Sequence, residues 1–360
     1  MVIWMRVIVS AGGTGGHIYP AISIVKKIKE KDPNSEILYI GTTTRMESEI
    51  VPKEGIPYFG VNMIGLKKDL SIFKAGFLFL KAIRTCKKKI KEFKPDVIVG
   101  VGGYITTPVI YAASKLHIPT VIHEQNSIPG KSNKFLTKKV DKIFVSLPGS
   151  FKYFPEEKTI LTGNPRSEEV YKAKVIDKKE LGLSKDKKLV LIVMGSLGSE
   201  TINATLKDSI PKFNEVDYEV IIVTGKAHYE EFNGVKANKN VFIKPYLDNM
   251  ANILGNVDII VSRAGASAIS EITSLGIPSI LVPSPYVANN HQYYNAMELV
   301  DNKASLLLEE KDFNSDNLLE KIDLLMKDKV LYNSMHEESL KLSNHQSCDL
   351  IYKEIKELIK

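Results

Sequence analysis

The feature that most constrains this chain is a regular switch between two kinds of run. Short stretches of apolar residues alternate with longer helical patterns along nearly the whole length. The apolar runs expected as strands are residues 6–10, 36–41, 97–101, 120–123, 142–145 and 159–161. A second series follows at 189–194, 219–223, 241–243, 259–262, 279–282 and 304–308. Most are apolar at every position rather than at every second one, which is the signature of strands covered on both faces. Strands that alternate with helices and are buried on both sides predict parallel, doubly wound α/β sheets.

The pattern occurs twice. "RVIVSAGGTGGH" and "LVLIVMGSLGSE" are both an apolar strand breaking into small residues before a helix. Between the two series lies "LTGNPRSEEVYKAKVIDKKELGLSKDKK", a Gly-Asn-Pro turn followed by charged, weakly periodic sequence. The chain therefore reads as two Rossmann-like domains, 1–162 and 163–343. A lysine-rich amphipathic helix of about 344–360 packs back on the first. At 360 residues, two domains of this size can each bury their own core.

Several function classes drop out. No apolar run is long enough to span a bilayer, and the start, "MVIWMRVIVS", reads as a first strand rather than a signal peptide. Cys86 and Cys348 are far apart and fit no metal spacing, so a reduced, cytosolic compartment is expected. There is no D-x-D pair, and "HEQNS" is not H-E-x-x-H. The net charge of +7 is concentrated: between Val61 and Gly100 ten Lys or Arg face three acids. That block lacks the interleaved aromatics and motifs of a nucleic-acid surface. It does contain "LKKDLSIFKAGFLFLKAIRTCKKKIKEFK", whose apolar residues exceed what one helix stripe needs. Ile72, Phe73 and Phe77 beside Lys74, Lys81 and Arg84 fit an interfacial patch on an anionic membrane.

The chemistry is expected in the loops, because ligands of open α/β sheets bind beyond the carboxyl ends of the strands. Gly12, Gly13, Gly15 and Gly16 at a helix start offer backbone N–H groups and close approach to an anion. Their spacing matches neither G-x-G-x-x-G nor a Walker A. His17, at the mouth of this loop, has the chemistry of a general base, and a helix N-terminus disfavours its protonated form. Gly102 and Gly103 follow a third strand, and Glu124 follows a fourth; sequence alone does not choose between His17 and Glu124 as the base. In the second half, Ser196, Arg263 and residues 265–271 form a similar cluster. Glu271 can accept both hydroxyls of a ribose.

Taken together, "GGTGGHIYP", "GVGGY", "HEQNSIPG", "TGNPR", "MGSLGSETIN", "SRAGASAISE" and "NNHQYYNA" resemble, in order, the signature blocks of the MurG family. These bacterial transferases add N-acetylglucosamine to lipid I to make lipid II. The resemblance covers essentially the whole chain. It implies a GT-B fold, two Rossmann-like domains facing an inter-domain cleft, with acceptor and membrane binding in the first and UDP-sugar binding in the second. It implies a UDP-N-acetylglucosamine donor, an undecaprenyl-diphosphoryl-N-acetylmuramoyl-pentapeptide acceptor, inversion at the sugar carbon, and neither cofactor nor obligatory metal. Carried over by motif, Thr14, Gly15, Gly16, Asn126, Arg166, Ser196, Leu247 and Gln292 contact the donor. Ala266, Ser267, Ala268, Ile269, Ser270 and Glu271 hold its diphosphate and ribose. Gly13, Gly15, Gly102, Gly103 and Tyr104 border the acceptor diphosphate. His291, Ser199 and Ala268 depart from the family's commoner residues.

The expected protein is a peripheral enzyme on the cytoplasmic face of the cell membrane. Its partners are the two substrates, the anionic inner leaflet and other proteins of wall synthesis, with no nucleic acid. Two rivals stay open. One is another GT-B UDP-sugar enzyme, a lipid glucosyltransferase or a UDP-N-acetylglucosamine epimerase. The other is a non-catalytic nucleotide-sugar-binding membrane protein.

Overall fold

The computed structural model describes residues 4–63, 72–195 and 198–359, with backbone only for 72–75. The chain divides into two compact units, Met1–Arg166 with Gln346–Lys360, and Ser167–His345. The division falls four residues beyond the 162/163 boundary read from the sequence.

In unit 1 the strands are β1 (Arg6–Ala11), β2 (Glu36–Thr42), β3 (Tyr58–Val61), β4 (Val97–Gly102), β5 (Thr120–Glu124), β6 (Lys142–Val145) and β7 (Thr159–Leu161). Among the described residues they form one sheet ordered β3-β2-β1-β4-β5-β6-β7, and every pairing is parallel. The helices are α1 (Gly15–Lys31), α2 (Glu47–Lys53), α3 (Ile72–Phe93), α4 (Thr106–Ser114) and α5 (Lys131–Leu136). All six residues of β4 are buried, as its unbroken apolar run requires of a strand covered on both faces. One core cluster joins Val7, Val9 and Val99 to Ile24 and Ile28 of α1. The other joins Ile8, Ile40 and Ile98 to Cys86 and Ile90 of α3.

Strand β3 is the one the sequence reading missed. It is a four-residue edge strand with a single buried residue, so it lacks the continuous apolar run that marks the others.

Unit 2 repeats the plan. Its strands are β8 (Leu189–Val193), β9 (Glu219–Val223), β10 (Val241–Lys244), β11 (Ile259–Ser262), β12 (Ser279–Leu281) and β13 (Leu306–Leu307). Their order is β10-β9-β8-β11-β12-β13, again parallel throughout. The helices are α6 (Arg166–Tyr171), α7 (Glu200–Phe213), α8 (Met250–Leu254), α9 (Ala266–Leu275), α10 (His291–Val300), α11 (Ser315–Lys327) and α12 (Lys329–Lys341).

The last helix, α13 (Ser347–Leu358), returns to unit 1. Ile351 and Ile355 are fully buried in the core beside α1, each contributing roughly 1.5–3 kcal/mol. Ion pairs flank them: Lys27 and Lys31 with Asp349 at 3.4 and 2.9 Å, and Lys142 with Glu354 at 2.5 Å. The fold class is the one expected, two doubly wound parallel-sheet α/β units.

The strand orders locate the functional loops. In unit 1 the sheet reverses direction of growth between β1 and β4, and in unit 2 between β8 and β11. Such switch points open a crevice beyond the strand ends, where ligands of this architecture bind.

Candidate active-site elements

In unit 1 the switch point brings together the loop after β1 and the loop after β4. Gly12 donates its N–H to the Gly102 carbonyl at 3.2 Å. The two loops are so close that a Cβ on Gly103 would lie 2.2 Å from the Gly12 oxygen. Gly103 also has φ +85°, so a side chain there is excluded twice. His17, in the first turn of α1, packs its ring over Gly102. Its Nδ1 lies 3.2 Å from the Gly12 carbonyl and 3.4 Å from the Thr14 hydroxyl. A carbonyl only accepts, so the contact assigns a proton to Nδ1, and in the neutral form of the ring Nε2 is the basic atom. Thr14 is exposed and caps nothing with its side chain, which leaves the amides of the first turn of α1, Gly15 and Gly16 among them, to face a ligand. Arg166 arrives at the same helix, its guanidinium 5.5 Å from the Tyr19 ring centre. Tyr104, half-buried, follows Gly103.

Two expectations change here. Gly13 was expected to offer its amide to the acceptor diphosphate, but that N–H is donated to Glu47 Oε2 at 3.1 Å. A carboxylate already occupies the place an anion would take. Glu124 was expected as an alternative base. It is 2% exposed, and its oxygens accept four hydrogen bonds: from the N–H and side-chain amide of Asn126, the N–H of Gly130 and the amide of Asn133, at 2.9–3.1 Å. Every lone-pair direction is engaged, so Glu124 shapes the loop that carries Asn126 rather than taking a proton.

Beside it, His123 is fully buried between Gly163 and Gln125. Its Nε2 donates to the Gly163 carbonyl at 3.0 Å, and Nδ1 accepts from the Gln125 amide at 2.9 Å. Burial pushes its pKa down to about 4, opposed by the Gly163 hydrogen bond and helped by neighbouring His17. His123 is thus a neutral strut.

In unit 2 the segments after β8, β11 and β13 meet around one guanidinium. Arg263 is buried and pairs with Glu310 at 2.6 Å. It also donates to the Val282 carbonyl at 3.2 Å and to Ser199 Oγ at 3.0 Å. Glu310 in turn accepts from the Thr201 hydroxyl at 2.8 Å. Gly198 has φ +77°, and a Cβ there would meet the Thr224 carbonyl at 2.1 Å. Asn295, fully buried, donates to the Ala264 carbonyl at 3.1 Å and sets the entry into α9. That helix starts after Gly265 with no side-chain cap, so the amides of Ala266, Ser267 and Ala268 form an uncapped first turn. Glu271 lies on the same face as Ser267, one turn on, and is half-buried.

Ile269 and Ser270 of the same stretch turn their side chains away from the loop. Ile269 is in the core, and the Ser270 hydroxyl is buried against the Ser167 hydroxyl at 2.8 Å. Only their backbone stays with the loop. Leu247 is buried after β10, and Gln292 accepts from the Ser284 N–H at 2.9 Å. Ser196 lies outside the described residues.

On α3, Phe77 and Leu80 are 66% and 57% exposed, with Lys81 and Arg84 exposed on the following turn. The side chains of Ile72, Phe73 and Lys74 lie outside the described residues. No helix among the described residues is long and apolar enough to cross a membrane.

The two halves match two family models, the glycosyltransferase family 28 N-terminal domain over residues 7–145 and its C-terminal domain over 189–350. A Pediococcus pentosaceus protein is 45% identical over 362 residues, which is 99% of this chain and 100% of that one. It is named UDP-N-acetylglucosamine--N-acetylmuramyl-(pentapeptide) pyrophosphoryl-undecaprenol N-acetylglucosamine transferase. The chain belongs to glycosyltransferase family 28, in its MurG group. The Acinetobacter baumannii MurG crystal structure superposes with a TM-score of 0.80 at 26% identity, covering 98% of this chain and 99% of that one. A UDP-N-acetylglucosamine 2-epimerase shares the fold alone, with a TM-score of 0.70 at 14% identity over 99% and 96% of the two chains.

The sequence reading of this family-28 site missed Glu47, Asn133, Asn295 and Glu310. Glu47, Asn295 and Glu310 each act on a loop far away in sequence, and even Asn133, nine residues from Glu124, matches no spacing that signals the pairing.

Proposed function

We propose that the protein is a hexosyltransferase that moves N-acetylglucosamine from UDP-N-acetylglucosamine to lipid I, forming lipid II with inversion at the sugar carbon. The activity follows from full-length relatives at about 45% identity that bear this name. The observation that carries the chemistry is the 3.2 Å contact of His17 Nδ1 with the Gly12 carbonyl, which assigns a proton to Nδ1. It leaves Nε2 to take the proton of the acceptor hydroxyl. As that proton leaves, the acceptor oxygen bonds to the anomeric carbon of the donor sugar. The bond from that carbon to the β-phosphate oxygen breaks, and its electron pair departs with UDP.

In this reading unit 2 holds the nucleotide. The first-turn amides of α9 stabilise the diphosphate, where charge grows in the transition state. Glu271 accepts from the ribose hydroxyls, Leu247 lies beside the base, and Gln292 meets the sugar. Unit 1 holds the acceptor diphosphate at the first turn of α1, with Gly102, Gly103 and Tyr104 alongside. Attachment is peripheral, to the anionic cytoplasmic leaflet, through Phe77 and Leu80 with Lys81 and Arg84. Other proteins of wall synthesis are further partners at that surface.

The test is an assay with UDP-N-acetylglucosamine and a short-chain lipid I analogue. The expected result is UDP release that requires the acceptor, with one new glycosidic bond per UDP. Conversion of the donor to its C2 epimer without acceptor would overturn the proposal.

A further inference from the structure

We infer that Glu47 is a positioning residue for His17, acting on it through the single peptide unit between Gly12 and Gly13. The two ends of that peptide group are engaged in opposite directions. Its carbonyl accepts from His17 Nδ1 at 3.2 Å, and its N–H donates to Glu47 Oε2 at 3.1 Å. Glu47 is fully buried, at 0% exposure. Its other oxygen accepts from the Thr42 N–H at 3.1 Å and the Thr42 hydroxyl at 2.7 Å. The carboxylate is therefore held by neutral donors, and no ion pair with it occurs among the described residues.

A charge in that position polarises the peptide along its own dipole. The N–H turns toward the carboxylate, and the carbonyl at the far end becomes a stronger acceptor. Hydrogen bonds in such a chain reinforce one another, by about 10–30% per bond. Two effects reach the imidazole. The Nδ1–H tautomer is fixed, which keeps Nε2 as the base, and the imidazolium formed on proton uptake is stabilised. A buried acid oriented against a histidine Nδ1–H does the same in hydrolytic triads; here one peptide unit stands between them.

The loop's glycines follow from this. A Cβ on Gly12 would lie 2.4 Å from Glu47 Oε1, and Gly13 has φ +94°. Gly12 admits no side chain while the carboxylate stays where it is, and Gly13 is restricted by its left-handed backbone instead.

The ionisable groups facing the relay come from several elements. His123 of β5 lies near His17 and is kept neutral by burial. Tyr39 of β2 and Tyr58 of β3 surround Glu47, and Tyr104 lies near Tyr58. Both Tyr39 and Tyr58 have their phenol pKa raised, first by burial and then by the Glu47 charge.

The inference rests on the reading of His17 as the base, and the experiment separates the two. The full chain is followed by nitrogen-detected NMR of the His17 ring across pH, beside kcat and KM profiles. The expected wild-type result is a neutral His17 in the Nδ1–H tautomer. In Glu47→Gln a single amide oxygen cannot serve both Thr42 and Gly13, and the charge is gone. The His17 pKa should fall by on the order of one unit, and the acidic limb of kcat/KM should move down with it. The fall in kcat should be about 10–100-fold, as for loss of an outer partner of a functional histidine, with donor KM unchanged.

Thr42→Val removes one bond to Glu47 and leaves the Gly13 bond intact, so it should leave the His17 titration in place. An equal shift in Thr42→Val reduces Glu47 to bracing and overturns the relay. So does an Nε2–H tautomer in the wild type, which needs no variant to fold. His17→Ala with undiminished kcat overturns the base reading instead, whatever the titration shows.

Discussion

The two switch points are built on one topology and do opposite things with charge. In unit 1 the loops after β1 and β4 touch through backbone, with His17 at their mouth and a carboxylate, Glu47, satisfied by neutral donors. In unit 2 Arg263, just after β11, is held by an ion pair with Glu310, just after β13, and reaches the loop after β8 through the Ser199 hydroxyl. A guanidinium does not titrate in proteins, so unit 2 holds a fixed electrostatic shape. Unit 1 places a titratable imidazole where its basicity can be tuned. The comparison teaches that the crevice is a property of the strand order, while the chemistry comes from which residues are set at its rim.

The largest expected effect sharpens that contrast. His17→Ala should lower kcat by about 10²–10⁴-fold, the usual worth of a positioned base, while donor binding and the unfolding midpoint of unit 1 stay near wild type. Equilibrium dialysis with UDP and single-turnover transfer give the two numbers. Arg263→Met is the counterpart in unit 2 and should show the reverse. It strands the Glu310 carboxylate in a buried site, at a cost of about 3–5 kcal/mol, seen as early urea unfolding of unit 2 by hydrogen exchange at β8 and β11. If Arg263→Met is as stable as wild type, the ion pair does not lock those loops.

A smaller effect comes from pH. His123 has a folded pKa of about 4 against about 6.5 for an exposed histidine. The unfolded chain therefore takes up the proton first. Its stabilising contribution is complete above pH 6.5 and is lost as the pH falls toward 4. Between pH 7 and pH 5 this amounts to about 2 kcal/mol, confined to unit 1. Exchange protection of β4 and β5 should drop over that range by more than that of β8 and β11, and equal losses would count against it.

The smallest expected effect concerns the patch on α3, which has no counterpart assigned in unit 2. The triple variant Phe77→Ser, Lys81→Glu, Arg84→Glu should sediment less with anionic vesicles, by about 1 kcal/mol for each basic residue removed. Turnover of a detergent-solubilised acceptor should be unchanged. A folded variant that binds the vesicles as well as wild type rules the patch out.

Much of this was legible in the sequence because strand and helix periodicity are local. Each unbroken run from residue 6 to residue 307 that was read as a strand is one. The two-sheet class followed from their alternation, and the glycine loops with His17 followed from where the runs stop. Hydrogen-bond partners are not local. Glu47 reaches Gly13 across 34 residues because β2 lies beside β1 and α2 begins just past its end. Glu310 meets Arg263 because β13 and β11 flank β12. Glu124 looked like a base by residue type, and only the burial of its four donors around it made it a brace. Ser270 falls within the motif, and the helical rotation that leaves Ser267 half-buried turns the Ser270 hydroxyl into the core. Sequence by itself determined the repeating elements and the composition of the loops. Tertiary structure decided which lone pairs and protons remain available, because that depends on neighbours that the strand order alone brings together.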